Sequence, residues 1–479
     1  MSTETITLRD ELSYNYGNNN KKWDHLYNLT SYIDSYIFKI ENKYYDLTYF
    51  KKIHPGGELI LNGAKEKSLD HTTLFSMHHI NFKKALLIMK KYEIKNDNII
   101  KYIKKLEFND FKKYFMDQNI RMHTLNYNND EHLKQYYDEF IKTHKCHYEL
   151  PKKGSFYYEL RELVWNYLKT NNIKPQQPKL NYMIFWYFLL VLHVCINVSQ
   201  YWLKSPLMAV FDGIVLAILG GFGHQWVHLP DHEIKGYILS YLGLYTDVFQ
   251  KDHLLRHHVY TNTIADHHVA STEPFIVIPP YKERPLFNGN WISNHIILTV
   301  VTLVGIPCNF VESTINSLIK RPYKLRWNWC LFFIRALFSI LCVNGNIWLG
   351  LKLFMYSTLT VSTYYYHIAL LNHNQNENWN LKKLNECVDW GEWQIITCSD
   401  IGYNYGNFYS MLSLWLNYHC VHHLFPTLDM SYHQDIQHFV LYMANKYNIK
   451  YSFKSFAQMY FETVDQFTFQ KSWNEIKNL

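Results

Sequence analysis

The sequence predicts a multi-domain chain in which a small α+β domain precedes an all-α integral membrane domain. The membrane domain is expected to have about four transmembrane helices and a histidine-rich cytosolic cap. Residues 1–105 are polar, with short alternating segments and turn residues, whereas long apolar runs begin near residue 180. Histidine sets follow those runs. We therefore place the domains at 1–105 and 181–479, joined by a charged connector at 106–180.

The composition excludes several classes of protein. Charged residues are only 19% and aromatic residues reach 17% of the 479 positions, which excludes disorder as the main state and is typical of membrane interfaces. The net charge of +7 is not gathered on a basic face, which argues against a nucleic-acid-binding function. The 8 cysteines form no CxxC pair, which indicates neither a zinc ribbon nor a disulfide framework. The polar N-terminus lacks a signal-peptide core, so membrane insertion is expected from internal segments.

Apolar length predicts the transmembrane helices. Each run is long enough to cross a hydrocarbon core, and short polar turns join the runs into two hairpins. The four predicted spans are Tyr182–Leu203, Leu207–Phe222, Trp327–Val343 and Ile347–Leu371. Two further apolar segments, Tyr237–Phe249 and Ile296–Ile306, are short and are predicted to be interfacial or half-inserted.

The distribution of Lys and Arg predicts the orientation of these spans. The two hairpin tips carry one Lys between them, whereas the segment between the hairpins is rich in Lys and Arg. Positive charge accumulates on the cytosolic side of membrane proteins. The central segment and both termini are therefore expected in the cytosol.

The N-terminal domain contains two histidine motifs that suit a haem. The sequence HPGG begins at His54, and DHTTLF at 70–75 precedes the doublet His78-His79. A haem iron held by two histidines needs them on opposite faces of a pocket, each presented by a tight turn. Such an iron has no open position for oxygen and transfers single electrons. HPGG alone is equally well explained as a surface turn, but the flanking patterns favour the haem.

This region resembles the cytochrome b5 domain, whose motif has the form YDVTxF, then HPGG, then DxTxxF and a second histidine. The resemblance implies haem b with His54 and His79 as its axial ligands. The doublet leaves His78 as an alternative second ligand. We favour His79 because desaturase-fused forms of the domain usually place the ligand four residues after Phe75.

Three further histidine sets flank the predicted spans. They are HQWVH at 224–228, HLLRHH at 253–258 and HCVHH at 419–423, all on the predicted cytosolic side. A spacing of four residues stacks two imidazoles on one helical face. Imidazole binds iron, zinc and copper, and eight histidines suffice for two ions. Neither HExxH nor ExxH is present, which argues against zinc proteases and carboxylate di-iron bundles. A single set would be better explained as hydrogen-bonded core histidines.

The order of the sets resembles the membrane fatty acid desaturase family. HHVYTN at 257–262 is similar to its HHxxTN motif, and HHLFP at 422–426 matches its third motif. With the cytochrome b5-like region, the chain is most similar to front-end desaturases and sphingolipid long-chain-base desaturases. His419 stands where those families usually carry Gln. Histidine is at least as good a ligand, but the substitution makes the front-end regiochemistry less secure.

The resemblance implies a di-iron centre with one further histidine on the last span. Asn372-His373 fits that position better than His367, and Trp393-Gln394 resembles another element of the family. His232, His267 and His268 match no ligand position and are expected at the surface or behind the ligands. The implied iron ligands are His224, His228, His253, His257, His258, His373, His419, His422 and His423.

The implied activity is oxygen-dependent desaturation of a fatty acyl chain carried by a lipid or by CoA. A mid-chain methylene has no acidic proton and no leaving group, so its oxidation requires a reduced metal and O2. Electrons would come from NADH-cytochrome b5 reductase at the endoplasmic reticulum membrane. No catalytic residue beyond the metal ligands is predicted. Two alternatives stay open: a sphingolipid long-chain-base desaturase or cytochrome b5-fused hydroxylase, and a membrane electron carrier with inert histidine sets.

Overall fold

The structure is a computed structural model whose described residues fall into two compact units, Met1–Lys152 and Lys153–Leu479. The division falls inside the predicted connector, and the domain boundaries at 1–105, 106–180 and 181–479 stay predictions. The described residues are 24–32, 35–67, 70–79, 81–117, 148–229, 233–263, 266–270, 272–273, 275–279, 290–319, 326–379, 387 and 389–468.

The N-terminal unit combines a two-stranded sheet with helices, as the sequence predicts. Strand β1 (Ile37–Ile40) pairs antiparallel with β2 (Lys43–Asp46). The turn residues Glu41 and Asn42 both have positive φ, which suits a two-residue hairpin. The helices are α1 (Gly57–Lys67), α2 (Thr72–His78), α3 (Phe82–Met89) and α4 (Asp97–Asp117). Their core includes Leu26, Tyr32, Ile37, Tyr44, Ile99 and Ile103.

The second unit is mostly helical. Its helices are α5 (Phe156–Thr170), α6 (Leu180–Leu203), α7 (Pro206–Trp226), α8 (Glu233–Gly236), α9 (Ile238–Leu242), α10 (Thr246–Phe249), the π-helix Gln250–His257, α11 (His258–Tyr260), α12 (Trp291–Ile319), α13 (Leu331–Leu341), α14 (Ile347–Leu371), α15 (Trp390–Thr397), α16 (Gly406–Leu412), α17 (His419–Leu424), α18 (His433–Lys446) and α19 (Phe456–Thr468). The short strands β3 (Asp400–Ile401) and β4 (Phe453–Lys454) pair in parallel, a small departure from the predicted all-α domain.

Within the described residues, α6, α7 and most of α12 are long and apolar enough to cross a membrane. The first predicted hairpin therefore corresponds to α6 and α7. Ser205 caps α7 by accepting a hydrogen bond from the Met208 amide, and Pro206 occupies the first turn. Helix α14 has the predicted bounds but carries many Ser, Thr and Tyr residues, and α13 has only 11 residues. The predicted count of four spans stays a prediction.

The prediction that Ile296–Ile306 is a short interfacial segment was wrong. The helix α12 that contains it has 29 residues and continues through Pro307. The apolar segment Ile296–Ile306 ends directly before Pro307, and proline usually interrupts a helix. In membrane-spanning helices, neighbouring helices and polar side chains compensate for the lost backbone hydrogen bond. By contrast, the segment Tyr237–Phe249 forms short helices and contains no span.

Close helix packing places the histidine-bearing ends of these helices side by side. Helix α7 lies against both α6 and α14. Gly213 permits the approach to α14, since a Cβ there would lie 2.5 Å from Thr360 Cβ. Inside the bundle, His193 Nδ1 lies 2.6 Å from Asp212 Oδ1, which pairs two polar groups that would be costly if buried alone. The C-terminal ends of α7 and α14 thus become two walls of the site.

Candidate metal centre

The first group of histidines unites three separate chain segments. His224 lies in the last turn of α7 and His228 just beyond it, while His253 comes from the π-helix and His422 from α17. One ring nitrogen from each lies within 4.8 Å of the others, and all four side chains are buried. The Nε2 atoms of His224 and His253 are 2.6 Å apart. This arrangement could hold one metal ion.

The second group contains His257, His373, His419 and His423, again buried and within 4.8 Å of one another. The Nε2 atom of His373 lies 3.1 Å from that of His257 and 2.7 Å from that of His419. Two nitrogens each about 2.1 Å from one metal ion would be roughly 3 Å apart when cis. The geometry therefore suits a second ion. His373, and not His367, joins the group.

His258 belongs to neither group of four but lies beside both. Its Nε2 is 3.1 Å from His253 Nε2, and its ring stacks on His423 with centroids 4.2 Å apart. All nine histidines that the sequence singled out are therefore brought together. The alternative candidate His367 lies outside this cluster, with its Nδ1 donating to the Thr363 carbonyl at 2.8 Å.

His268 also lies close to the site, at a position that the sequence matched to no ligand. With His253 and His257 it forms a third set of neighbouring nitrogens. Its ring, however, stacks on both of theirs, at interplanar angles of 23° and 19°. His268 belongs to neither group of four, so we do not count it among the nine candidate ligands. His232 and the His267 side chain lie outside the described residues.

Four hydrogen-bond acceptors fix the tautomers of four of these histidines. Nδ1 of His257 lies 2.9 Å from Asp266 Oδ2, and Nδ1 of His373 lies 2.9 Å from the Thr397 carbonyl. Because these oxygens only accept, each Nδ1 carries the proton and donates it. The amide oxygens of Gln225 and Gln394 accept in the same way from His422 and His423, at 3.1 and 2.8 Å.

The same tautomers leave the Nε2 lone pairs facing the centre of the site. His257 and His373 thus direct two lone pairs at each other across 3.1 Å. The Nε2 atoms of His422 and His423 are buried without a hydrogen-bond partner. Converging lone pairs repel one another unless a cation lies between them, and outer carboxylates and carbonyls commonly orient histidine ligands in this way. The donor set therefore fits a pair of metal ions.

Burial keeps five imidazoles of the site neutral. Desolvation, followed by the neighbouring histidines, lowers the pKa of His253, His258 and His419 well below the usual value of 6.5. The pKa values of His422 and His423 are lowered for the same reasons. Only a neutral imidazole can bind a metal, so the site is prepared for ions at neutral pH.

Sequence reasoning missed two of the orienting residues. Gln225 lies within HQWVH and was passed over as a spacer, although its side chain donates to the Leu428 carbonyl and accepts from His422. Asp266 lies four residues after Asn262 and was assigned no role. In both cases, a side chain that can accept a hydrogen bond lies close in sequence to a pair of predicted ligands, and this pattern could have identified the orienting residue.

The elements that resembled family motifs also meet at the site. Trp393 Nε1 donates to the Thr261 carbonyl at 2.8 Å, and the Asn262 side chain donates to the His373 carbonyl at 3.0 Å. These bonds connect the turn after the second histidine set to α15 and to the end of α14.

In the N-terminal unit, the rings of His54 and His79 face each other with centroids 6.0 Å apart. Two axial imidazoles bound to one metal at about 2 Å would place their centroids about 6 Å apart. Nδ1 of His79 donates to the Phe75 carbonyl at 2.8 Å, which directs Nε2 away from the helix. Burial and the neighbouring His79 lower the pKa of His54 to about 4. The pair therefore fits two axial ligands of a haem.

The described part of the protein is mostly helical, has three helices that are long and apolar enough to cross a membrane, and gathers nine buried histidines that could hold metal. The fatty acid desaturase profile matches residues 200–455, more than half of the chain. The protein therefore belongs to the fatty acid desaturase family and is an oxidoreductase of the desaturase type.

Curated relatives agree with this assignment at low identity. The chain is 24% identical to an acyl-lipid (8-3)-desaturase of Mortierella alpina, covering 87% of this chain and 89% of that one. It is 22% identical to a probable Delta(5) fatty acid desaturase C of Dictyostelium discoideum, over 91% and 92%. A cytochrome b5-related protein of Drosophila melanogaster is also 22% identical, over 82% and 79%. No solved structure is matched by the chain.

Proposed function

We propose that this desaturase is of the front-end type, and that it introduces a double bond into a fatty acyl chain at a di-iron centre. The observation that carries the proposal is the convergence of Nε2 lone pairs from His257, His373, His422 and His423 on one buried site. Histidine nitrogen donors suit iron. The names of the relatives support a fatty acyl substrate, carried by a lipid.

The two histidine groups would each hold one iron ion, and His258, which lies beside both groups, would be the ninth ligand. Reduced iron at this site would supply the activation of O2 that cleavage of unactivated C–H bonds requires. The protein side chains orient the lone pairs of these ligands and exclude bulk water. His224 through His228 form one wall, and the turn that contains Asp266 forms another.

The reaction needs external electrons. Removal of two hydrogens from adjacent methylenes, with reduction of one O2 to two waters, consumes two electrons and two protons. His54 and His79 would hold haem b in the N-terminal unit, and this haem would transfer electrons singly. Carriage of the haem on the same chain raises its effective concentration at the iron site. NADH-cytochrome b5 reductase would be the donor.

The proposed location is the endoplasmic reticulum membrane with both termini in the cytosol. The Lys and Arg distribution supports this orientation. It would place the histidine site on the side where the reductase and its NADH are present.

The test is product analysis in yeast that expresses the chain and is fed candidate polyunsaturated acids. Gas chromatography with mass spectrometry of total acyl chains and long-chain bases would compare the wild type with His373→Ala and His367→Ala. His367 lies near the end of α14 and His373 two residues beyond it, but only His373 belongs to a four-histidine group. We expect a new acyl double bond in the wild type and His367→Ala, and none in His373→Ala.

Other products would contradict the proposal. A hydroxylated acyl chain or an unsaturated sphingoid base would move the assignment to a hydroxylase or a sphingolipid desaturase. The iron content of the purified protein distinguishes the desaturase from the membrane electron carrier. We expect two non-haem iron ions per chain, whereas an electron carrier with inert histidine sets would contain haem iron alone.

A further inference from the structure

An exposed aromatic segment precedes the third histidine set. We define the aromatic segment as Tyr403–Leu412, which includes α16. The exposed fractions of its large side chains are 55% for Tyr403, 60% for Tyr405, 71% for Phe408 and 37% for Leu412. So many exposed large apolar groups on ten residues need a partner surface.

Two contacts with helix α14 show how far the aromatic segment lies from the end of that helix. Tyr364 OH donates to the Leu412 carbonyl at 2.5 Å, and the side chain of Asn372 donates to the Leu416 carbonyl at 2.9 Å. Tyr364 and Asn372 are eight residues apart on α14 and its C-cap, so they lie about 12 Å apart along the axis. Leu412 is therefore about two turns below the end of α14 that carries His373.

Contacts with helices α6 and α7 independently place the chain after the aromatic segment below the histidine-bearing end of the bundle. A Cβ on Gly221 would lie 3.1 Å from Leu414 Cβ, and the Trp415 ring lies 4.5 Å from Phe222 and 6.0 Å from Tyr182. Gly221 is five residues before the end of α7, about 7 Å along its axis. Both helices are long and apolar enough to cross a membrane. The chain after the aromatic segment thus runs beside the first turn of α6 and the last turns of α7.

The composition of the segment indicates which partner it faces. Residues 401–418 contain no Asp, Glu, Lys or Arg. Exposed tyrosines with an apolar body and a polar hydroxyl are enriched where hydrocarbon meets lipid headgroups. A site for a soluble partner protein would not be expected at this depth beside the spans, because lipid fills the space around them.

We propose that the aromatic segment is inserted into the interfacial layer of the bilayer, with Tyr403, Tyr405, Phe408 and Leu412 packed against lipid. Its lipid contact fixes the height of the third histidine set, which begins seven residues later at His419. The proposal rests on the membrane location of the family and is independent of which acyl chain is the substrate.

The test is photocrosslinking of the full chain in phospholipid nanodiscs. Phe408→p-benzoylphenylalanine is compared with the same replacement at Ile184 and Tyr442. Ile184 is 60% exposed on α6 and serves as the lipid-facing control, and Tyr442 is 63% exposed on the polar helix α18. All three side chains are exposed, so each replacement is compatible with folding, which gel filtration checks.

We expect phospholipid adducts at positions 408 and 184, each several-fold above position 442, detected by mass spectrometry. An adduct yield at 408 no higher than at 442, with strong labelling at 184, would overturn the proposal. A crosslink from 408 to a second protein chain in place of lipid would overturn it as well. Adduct formation needs no turnover, so this result is separate from the test of the desaturase reaction.

Discussion

The Asp266 carboxylate Oδ2 lies 2.9 Å from His257 Nδ1. The same carboxylate accepts hydrogen bonds from the backbone amides of Asn262 and His268, each at 3.0 Å. Burial would raise the pKa of Asp266, but His257 and these donors outweigh burial and lower it. One ionised side chain therefore fixes both the His257 tautomer and the turn that follows the second histidine set.

Asp266→Ala is expected to weaken iron binding by about 10–100-fold, because loss of an orienting acceptor lets the ligand ring rotate and change tautomer. Iron retained against a graded chelator, measured by elemental analysis, checks this result. Asp435→Ala removes a partly exposed carboxylate that pairs with Lys179 and serves as the control. Wild-type iron retention by Asp266→Ala would show that His257 needs no such partner.

Removal of His79 is expected to abolish the six-coordinate low-spin haem spectrum, whereas His78→Ala should keep it. The reason is that the ring centroid of His79 lies 6.0 Å from that of His54, the separation expected for two axial imidazoles on one metal. Optical and electron paramagnetic resonance spectra of the two variants measure the difference. Loss of the spectrum in His78→Ala alone would reverse the ligand assignment.

Gly213→Ala is expected to destabilise the protein by about 1–3 kcal/mol, because the new methyl group would overlap the backbone of α14. A Cβ at this position would lie 2.6 Å from the Ser357 carbonyl oxygen. Gly220→Ala is the matched control on the same helix, since its nearest neighbour is the flexible tip of Leu242. Thermal unfolding in detergent should show a larger loss for Gly213→Ala, and equal losses would contradict the packing argument.

Glu377→Gln is expected to lower stability at neutral pH but not in acid. Burial alone would raise the pKa of Glu377, yet hydrogen bonds from Lys450, Lys454 and Ser452 lower it to about 2. A depressed carboxyl pKa stabilises the fold above the unfolded value near 4.5, and that contribution is lost as pH falls towards 2. The difference in thermal midpoint between the wild type and Glu377→Gln should be smaller at pH 3 than at pH 7. A larger difference at pH 3 would contradict the predicted pH dependence.

Local patterns in the sequence were sufficient to predict much of the architecture. The runs that became α6, α7 and α14 could be located because apolar length is a local property of the chain. The histidine sets were equally visible, and the resemblance to the desaturase family favoured His373 over His367. The length of α12 was misjudged at Pro307, since the neighbours that tolerate a proline are not local.

The tertiary structure decided which histidines belong to each of the two groups of four. The sequence offered three sets in chain order, but each group of four histidines draws on more than one set: His224 joins His422, and His257 joins His419. It also decided the roles of Gln225 and Asp266, because a hydrogen-bond acceptor becomes an orienting group only at a defined distance. The residue types determine which donor atoms are available. Whether those donor atoms meet at one point depends on the packing of helices and segments up to about 200 residues apart along the chain.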